Sequence, residues 1–151
     1  SLEALSGFEA LSGLTVLQEC SFFFGHSAIQ DVRALGCALG GMEQLQTLSL
    51  DFTYCSNLKT LAGFKALGGL KMLQHCSMDY GSSAIQDVSA LGCGLGGMEQ
   101  LTTLRLDLKC CKNLKAVAGF HYLRGLKVLK HCSMDFGAPF VSPSQSAIQD
   151  V

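Results

Sequence analysis

The chain has 151 residues, of which 48% are hydrophobic and 15% charged, enough apolar content to bury the core of one domain and too little charge bias for disorder. A formal net charge of -1 and a pI near 6.4 give no general field that would hold nucleic acid or an anionic membrane surface, so neither is expected as a partner. Glycine, serine or a charged residue interrupts every apolar run before the roughly 18 to 20 residues that a membrane helix needs, and no membrane insertion is expected.

In chain order, the first feature is repetition. Ser27-Ala-Ile-Gln-Asp-Val32 returns as Ser83 to Val88, Gly41-Met-Glu-Gln-Leu45 as Gly97 to Leu101, and Asn57-Leu-Lys-Thr-Leu-Ala-Gly-Phe64 is echoed by Asn113 to Phe120, each 56 residues later. A finer period of 28 lies inside it, since Leu45-Gln-Thr-Leu48-Ser-Leu50-Asp51-Phe52 aligns with Leu73-Gln-His-Cys76-Ser-Met78-Asp79-Tyr80. Five strand-like rungs follow: Leu17/Cys20/Phe22, Leu45/Leu48/Leu50, Leu73/Cys76/Met78, Leu101/Leu104/Leu106 and Leu129/Cys132/Met134. Alternation carries each inward face on to Phe24, Phe52, Tyr80, Leu108 and Phe136.

The pattern L-x-x-[LC]-x-[LMF], recurring in register at 28 residues, resembles the leucine-rich repeat family and is similar to its ribonuclease-inhibitor-like type. The resemblance implies an α/β solenoid with a parallel sheet of about five strands on the concave face and short helices on the convex face. It departs from the family after each strand, where Gly25, Thr53, Gly81, Lys109 and Gly137 stand in place of the usual Asn. The backbone hydrogen bonds an Asn would make must then come from elsewhere.

The segments returning from strand to strand are of two alternating kinds. Ile85, Val88, Leu91 and Leu95 sit on one helical face, with Ser83/Gln86 as a candidate capping box repeated at Ser27/Gln30 and Ser146/Gln149, and Gly92, Gly94, Gly96 and Gly97 as a stop. The other kind, Leu58, Leu61, Phe64, Leu67 and Leu70, is broken by Gly63, Gly68 and Gly69 and predicts a shorter helix.

Seven of the eight cysteines recur two rungs apart, as Cys20/Cys76/Cys132, Cys37/Cys93 and Cys55/Cys111, with Cys110 alone. Two rungs are about 10 Å, too far for a disulfide. Cys20, Cys76 and Cys132 alternate with Leu48 and Leu104 and are read as buried free thiols. No C-x-x-C or zinc-like spacing occurs, so no metal is expected, and the usage favours an intracellular reducing compartment. His75-Cys76 and His131-Cys132 cannot chelate, because strand neighbours face opposite sides.

The outward residues form candidate partner-binding columns: Thr47, His75, Thr103 and His131; Ser49, Ser77, Arg105 and Ser133; then Asp51, Asp79, Asp107 and Asp135. Aspartates about 5 Å apart repel by roughly 1 kcal/mol per pair in water and about 3 at an effective dielectric of 20. They are read as a solvated acidic stripe, or as one that a basic partner or a cation neutralises. Repetition alone sets Ser, His and Asp near one another, and no phosphate loop, dinucleotide fingerprint or metalloprotease helix is present, so neither catalysis nor a cofactor is expected.

The last rung carries seven extra residues within 137–145, including both prolines and the apolar Phe140 and Val141, a candidate contact loop. Residues 1–30 hold Glu3, Glu9 and Glu19 but no Lys or Arg, while 91–120 hold four basic and two acidic residues. Because Ser1 and Val151 fall inside a repeat, residues 1–151 are read as a single array cut from a longer one. The expected function is protein–protein interaction through the concave strand face and the 137–145 loop. The alternatives are a structural subunit built permanently into a large assembly, or a regulatory or sensor domain of a larger parent.

Overall fold

Residues 5–137 are described by the structure, a computed structural model. Strands β1 (Glu19–Phe23), β2 (Thr47–Asp51), β3 (His75–Asp79), β4 (Thr103–Asp107) and β5 (His131–Asp135) form one parallel sheet in chain order. Each residue pairs with the one 28 positions on: Cys20 with Leu48, Leu48 with Cys76, Cys76 with Leu104, Leu104 with Cys132. The register follows from the pattern, since a slip by one residue would turn Leu48 and Leu50 outward and Ser49 inward.

The inward side chains make a continuous ladder. Leu48, Cys76 and Leu104 are buried, as are Leu50, Met78 and Leu106 in the next layer. Phe24, Phe52 and Tyr80 stack ring on ring at 5.1 and 5.7 Å, and the Tyr80 hydroxyl donates to Met78 Sδ at 3.2 Å. Burying one leucine contributes roughly 1.5–3 kcal/mol, and each rung receives that burial only from its neighbours. Cys20 and Cys76 are buried, whereas Cys132 on β5 is exposed. The expectation of three equivalent buried thiols therefore holds for two of them.

The returns stack behind the sheet. Among the described residues two α-helices, α1 (Arg33–Gly40) and α2 (Ser89–Gly96), alternate with three 3-10 helices, η1 (Phe8–Gly13), η2 (Ala62–Gly69) and η3 (Ala118–Gly125). The second kind of return thus differs from expectation by winding and not by length, since η2 and η3 have as many residues as α2.

The proposed capping boxes at Ser27/Gln30 and Ser83/Gln86 are not formed. The helices start six residues later, after Val32 and Val88, with no side-chain cap. Asp31 and Asp87 do the local work, each accepting the backbone N–H two residues on at 2.8 Å. The third predicted box, Ser146/Gln149, lies outside the described residues. Gly96 and Gly97 end α2 as expected, as its last residue and its C-cap, whereas Gly92 and Gly94 lie inside it. Their role is close approach: a Cβ on Gly92 would sit 2.2 Å from the Gly119 carbonyl oxygen, and one on Gly119 would sit 2.4 Å from Ser89 Cα. Gly36 and Gly63 interlock α1 with η2 in the same way.

Candidate functional site

The face of the sheet opposite the core carries the three predicted columns in strict register. Thr47, His75, Thr103 and His131 are successive partners, as are Ser49, Ser77, Arg105 and Ser133, and Asp51, Asp79, Asp107 and Asp135. All of them are exposed or half-buried, and among the described residues no other element packs over this face. Phe140 and Val141 lie outside the described residues.

The aspartate column, read as a solvated stripe or one that a partner or cation neutralises, is half-buried and builds the turns. Asp51 Oδ1 accepts the Thr53 N–H at 2.8 Å and the Thr53 hydroxyl at 2.7 Å. Asp79, Asp107 and Asp135 accept the N–H of Gly81, Lys109 and Gly137, each at 2.9 Å. These are the bonds that an Asn after the strand was expected to make, supplied instead from the strand's last residue.

The missing Asn is also offset one step further on, by a buried ladder of thiols and hydroxyls. Cys55 Sγ donates to the Phe24 carbonyl at 3.3 Å and lies 3.5 Å from Ser27 Oγ. Cys111 Sγ donates to the Tyr80 carbonyl at 3.1 Å and lies 3.6 Å from Ser83 Oγ. Ser27 and Ser83, read as helix caps, belong to this ladder. Between the two devices, His26, Tyr54, Ser82 and Cys110 all take φ of 57 to 61°. The N–H groups of the first three are held by the carbonyls of Thr53, Gly81 and Lys109 in the next rung.

The column is not electrostatically uniform. Lys109 Nζ lies 3.3 Å from Asp107 and 3.0 Å from Asp135. The Gly137 N–H and Lys109 hold the Asp135 carboxyl below its usual range, and the two carboxylates raise the lysine. Among the described residues no Lys, Arg or His nitrogen comes within 4.0 Å of the carboxylate of Asp51 or Asp79.

Strand β1 extends the columns with Glu19, Ser21 and Phe23, paired with Thr47, Ser49 and Asp51. Sequence reasoning began the columns at the second rung and missed them, although the same shift of 28 would have found them. Phe23 is 76% exposed and Tyr54 56%. The His26 and Tyr54 rings stack at 4.6 Å with 12° between planes.

Chemically the face offers hydroxyls, imidazoles, carboxylates and one guanidinium in rows about 5 Å apart. His75 and His131 are separated by Thr103, and among the described residues no three His, Cys, Asp or Glu side chains converge as a metal site would require. Among the same residues no helix is long and apolar enough to cross a membrane.

No protein-family model and no curated protein matches the chain. Among solved structures it is similar to the internalin InlF of Listeria monocytogenes strain 4b F2365, at 17% identity with a TM-score of 0.35, over 90% of this chain and 48% of that one. It is also similar to internalin C2 of the same strain, at 19% identity with a TM-score of 0.34, over 92% of this chain and 71% of that one. The chain thus spans about half the length of the first of these.

Proposed function

We propose that this solenoid, whose 28-residue rung fits the ribonuclease-inhibitor-like type of leucine-rich repeat, is a protein-interaction module that works by binding and not by catalysis. A protein partner lies on the strand face, touching Thr47, Ser49, His75, Ser77, Thr103, Arg105, His131, Ser133 and the aspartate column, with Phe140 and Val141 of the 137–145 loop as a further contact. The observation that carries this reading is the in-register face itself: strands β2 to β5 present aligned polar side chains on a surface that nothing in the described residues covers, while the opposite side chains fill the core. A rigid sheet loses little entropy on docking, which suits a preformed surface. The test places a photo-crosslinking residue at Ser77 or Thr103 on the strand face, or at Cys93 on α2, in cells of the source organism. Partner adducts from the strand-face positions and none from Cys93 support the reading; adducts from Cys93 alone overturn it.

A further inference from the structure

Exposed aromatic rings occur in the first two rungs, on β1 and in the turns after β1 and β2. Phe23 on β1 and the stacked His26 and Tyr54 stand in the first two rungs. The next positions in their columns hold no aromatic side chain: Phe23 is followed by Asp51, Asp79, Asp107 and Asp135, and Tyr54 by Ser82 and Cys110. The same end carries Asp51 and Asp79, which among the described residues have no cationic partner such as Lys109 gives to Asp107 and Asp135, together with the exposed Glu19. The surface is therefore divided: its far half holds Lys109 between two carboxylates, and its near half has carboxylates with no lysine at hand and exposed rings.

We infer that this near end, if the strand face is the binding surface proposed above, receives arginine or lysine side chains of the protein partner. A guanidinium or ammonium group is attracted both to a carboxylate and to an aromatic face. An inorganic cation fits less well. One oxygen of each aspartate is already committed to a turn N–H, and the carboxylates stand a rung apart, whereas calcium takes six to eight converging oxygens. A guanidinium is satisfied by one or two carboxylates and a ring.

The test titrates the whole chain with a fluorescein-labelled arginine–glycine peptide, and with the same peptide carrying glutamine or glutamate in place of arginine, reading anisotropy at low and high salt. The arginine peptide should bind and the other two should not, with affinity falling as salt rises. Asp51→Asn with Asp79→Asn keeps the turn acceptors yet should weaken binding about tenfold, and Phe23→Ser with Tyr54→Ser should do likewise. Glu43→Gln with Glu99→Gln, at exposed positions outside the strands, removes as much charge and should change binding less than about twofold. Circular dichroism checks that each variant folds. Equal binding of the arginine and glutamine peptides, or an equal loss in the aspartate and glutamate pairs, overturns the inference. If Ser77 and Thr103 still crosslink a partner in that case, the strand face keeps its role and only the basic contact is wrong.

Discussion

Replacing Gly92 by alanine tests whether the alternating helices stack as closely as described. On intrinsic propensity the change inside α2 should stabilise the helix by about 1 kcal/mol. The structure reverses that sign, because the new Cβ would meet the Gly119 carbonyl oxygen at 2.2 Å and its carbon at 2.4 Å. Both are backbone atoms with no rotamer to escape into, so α2 and η3 would have to part by about 1 Å to restore ordinary contact. Parting them loosens Leu91 and Leu95 against Phe120 and Leu123, all buried. Overpacking of this kind costs about 1–3 kcal/mol and occasionally more. With backbone met on both counts the upper end of that range, about 3 kcal/mol, applies, and less the propensity gain it leaves a loss of about 2 kcal/mol, or about 4–8 °C in Tm for a chain of this size. Gly68→Ala is the control: its Cβ would meet nothing closer than 3.5 Å, and it should stay within about 0.5 kcal/mol of the parent. Urea unfolding followed by circular dichroism measures both. A Gly92→Ala protein as stable as the parent, or matching Gly68→Ala, would refute the close-stacking argument.

Asp79→Ala removes the acceptor of the Gly81 N–H and should destabilise by about 1 kcal/mol, while Asp79→Asn keeps the acceptor and should stay within about 0.5 kcal/mol in the same unfolding assay. Alkylation followed by mass spectrometry should label the exposed Cys37, Cys110 and Cys132 in the folded chain and reach the buried Cys55, Cys76 and Cys111 only after unfolding. Burial pushes the Cys76 thiol from 9.0 up to about 12. Its contribution to stability is therefore present in full below pH 9.0 and falls as pH rises toward about 12. Cys76→Ala should flatten that alkaline limb; an unchanged slope would show that the thiol does not contribute.

The strands and their pairing were legible because the determinant is local and repeated: Leu, Cys or Met at every second place, copied every 28 residues, leaves one register that buries them all. Helix starts were less legible. Ser83 and Gln86 have the spacing of a cap, yet Ser83 is committed to Cys111, a residue 28 positions away that meets it only when the rungs stack. The usable signal was Asp87, two residues before α2. The aspartate column was placed correctly but its work in the turns was not seen, since the N–H it accepts follows a strand end whose bend the side chain itself stabilises. The division of the face was hidden for a related reason. Which carboxylates Lys109 neutralises depends on the rung spacing and on the reach of one side chain.

The most direct test of the account is a crystal structure of the chain with its captured partner. Partner atoms should lie within about 4 Å of Ser49, Ser77 and Arg105, with basic side chains at Asp51, Asp79 and the Phe23 ring. A partner seated on α1, α2 and the 3-10 helices, with the strand face open to solvent, would contradict it.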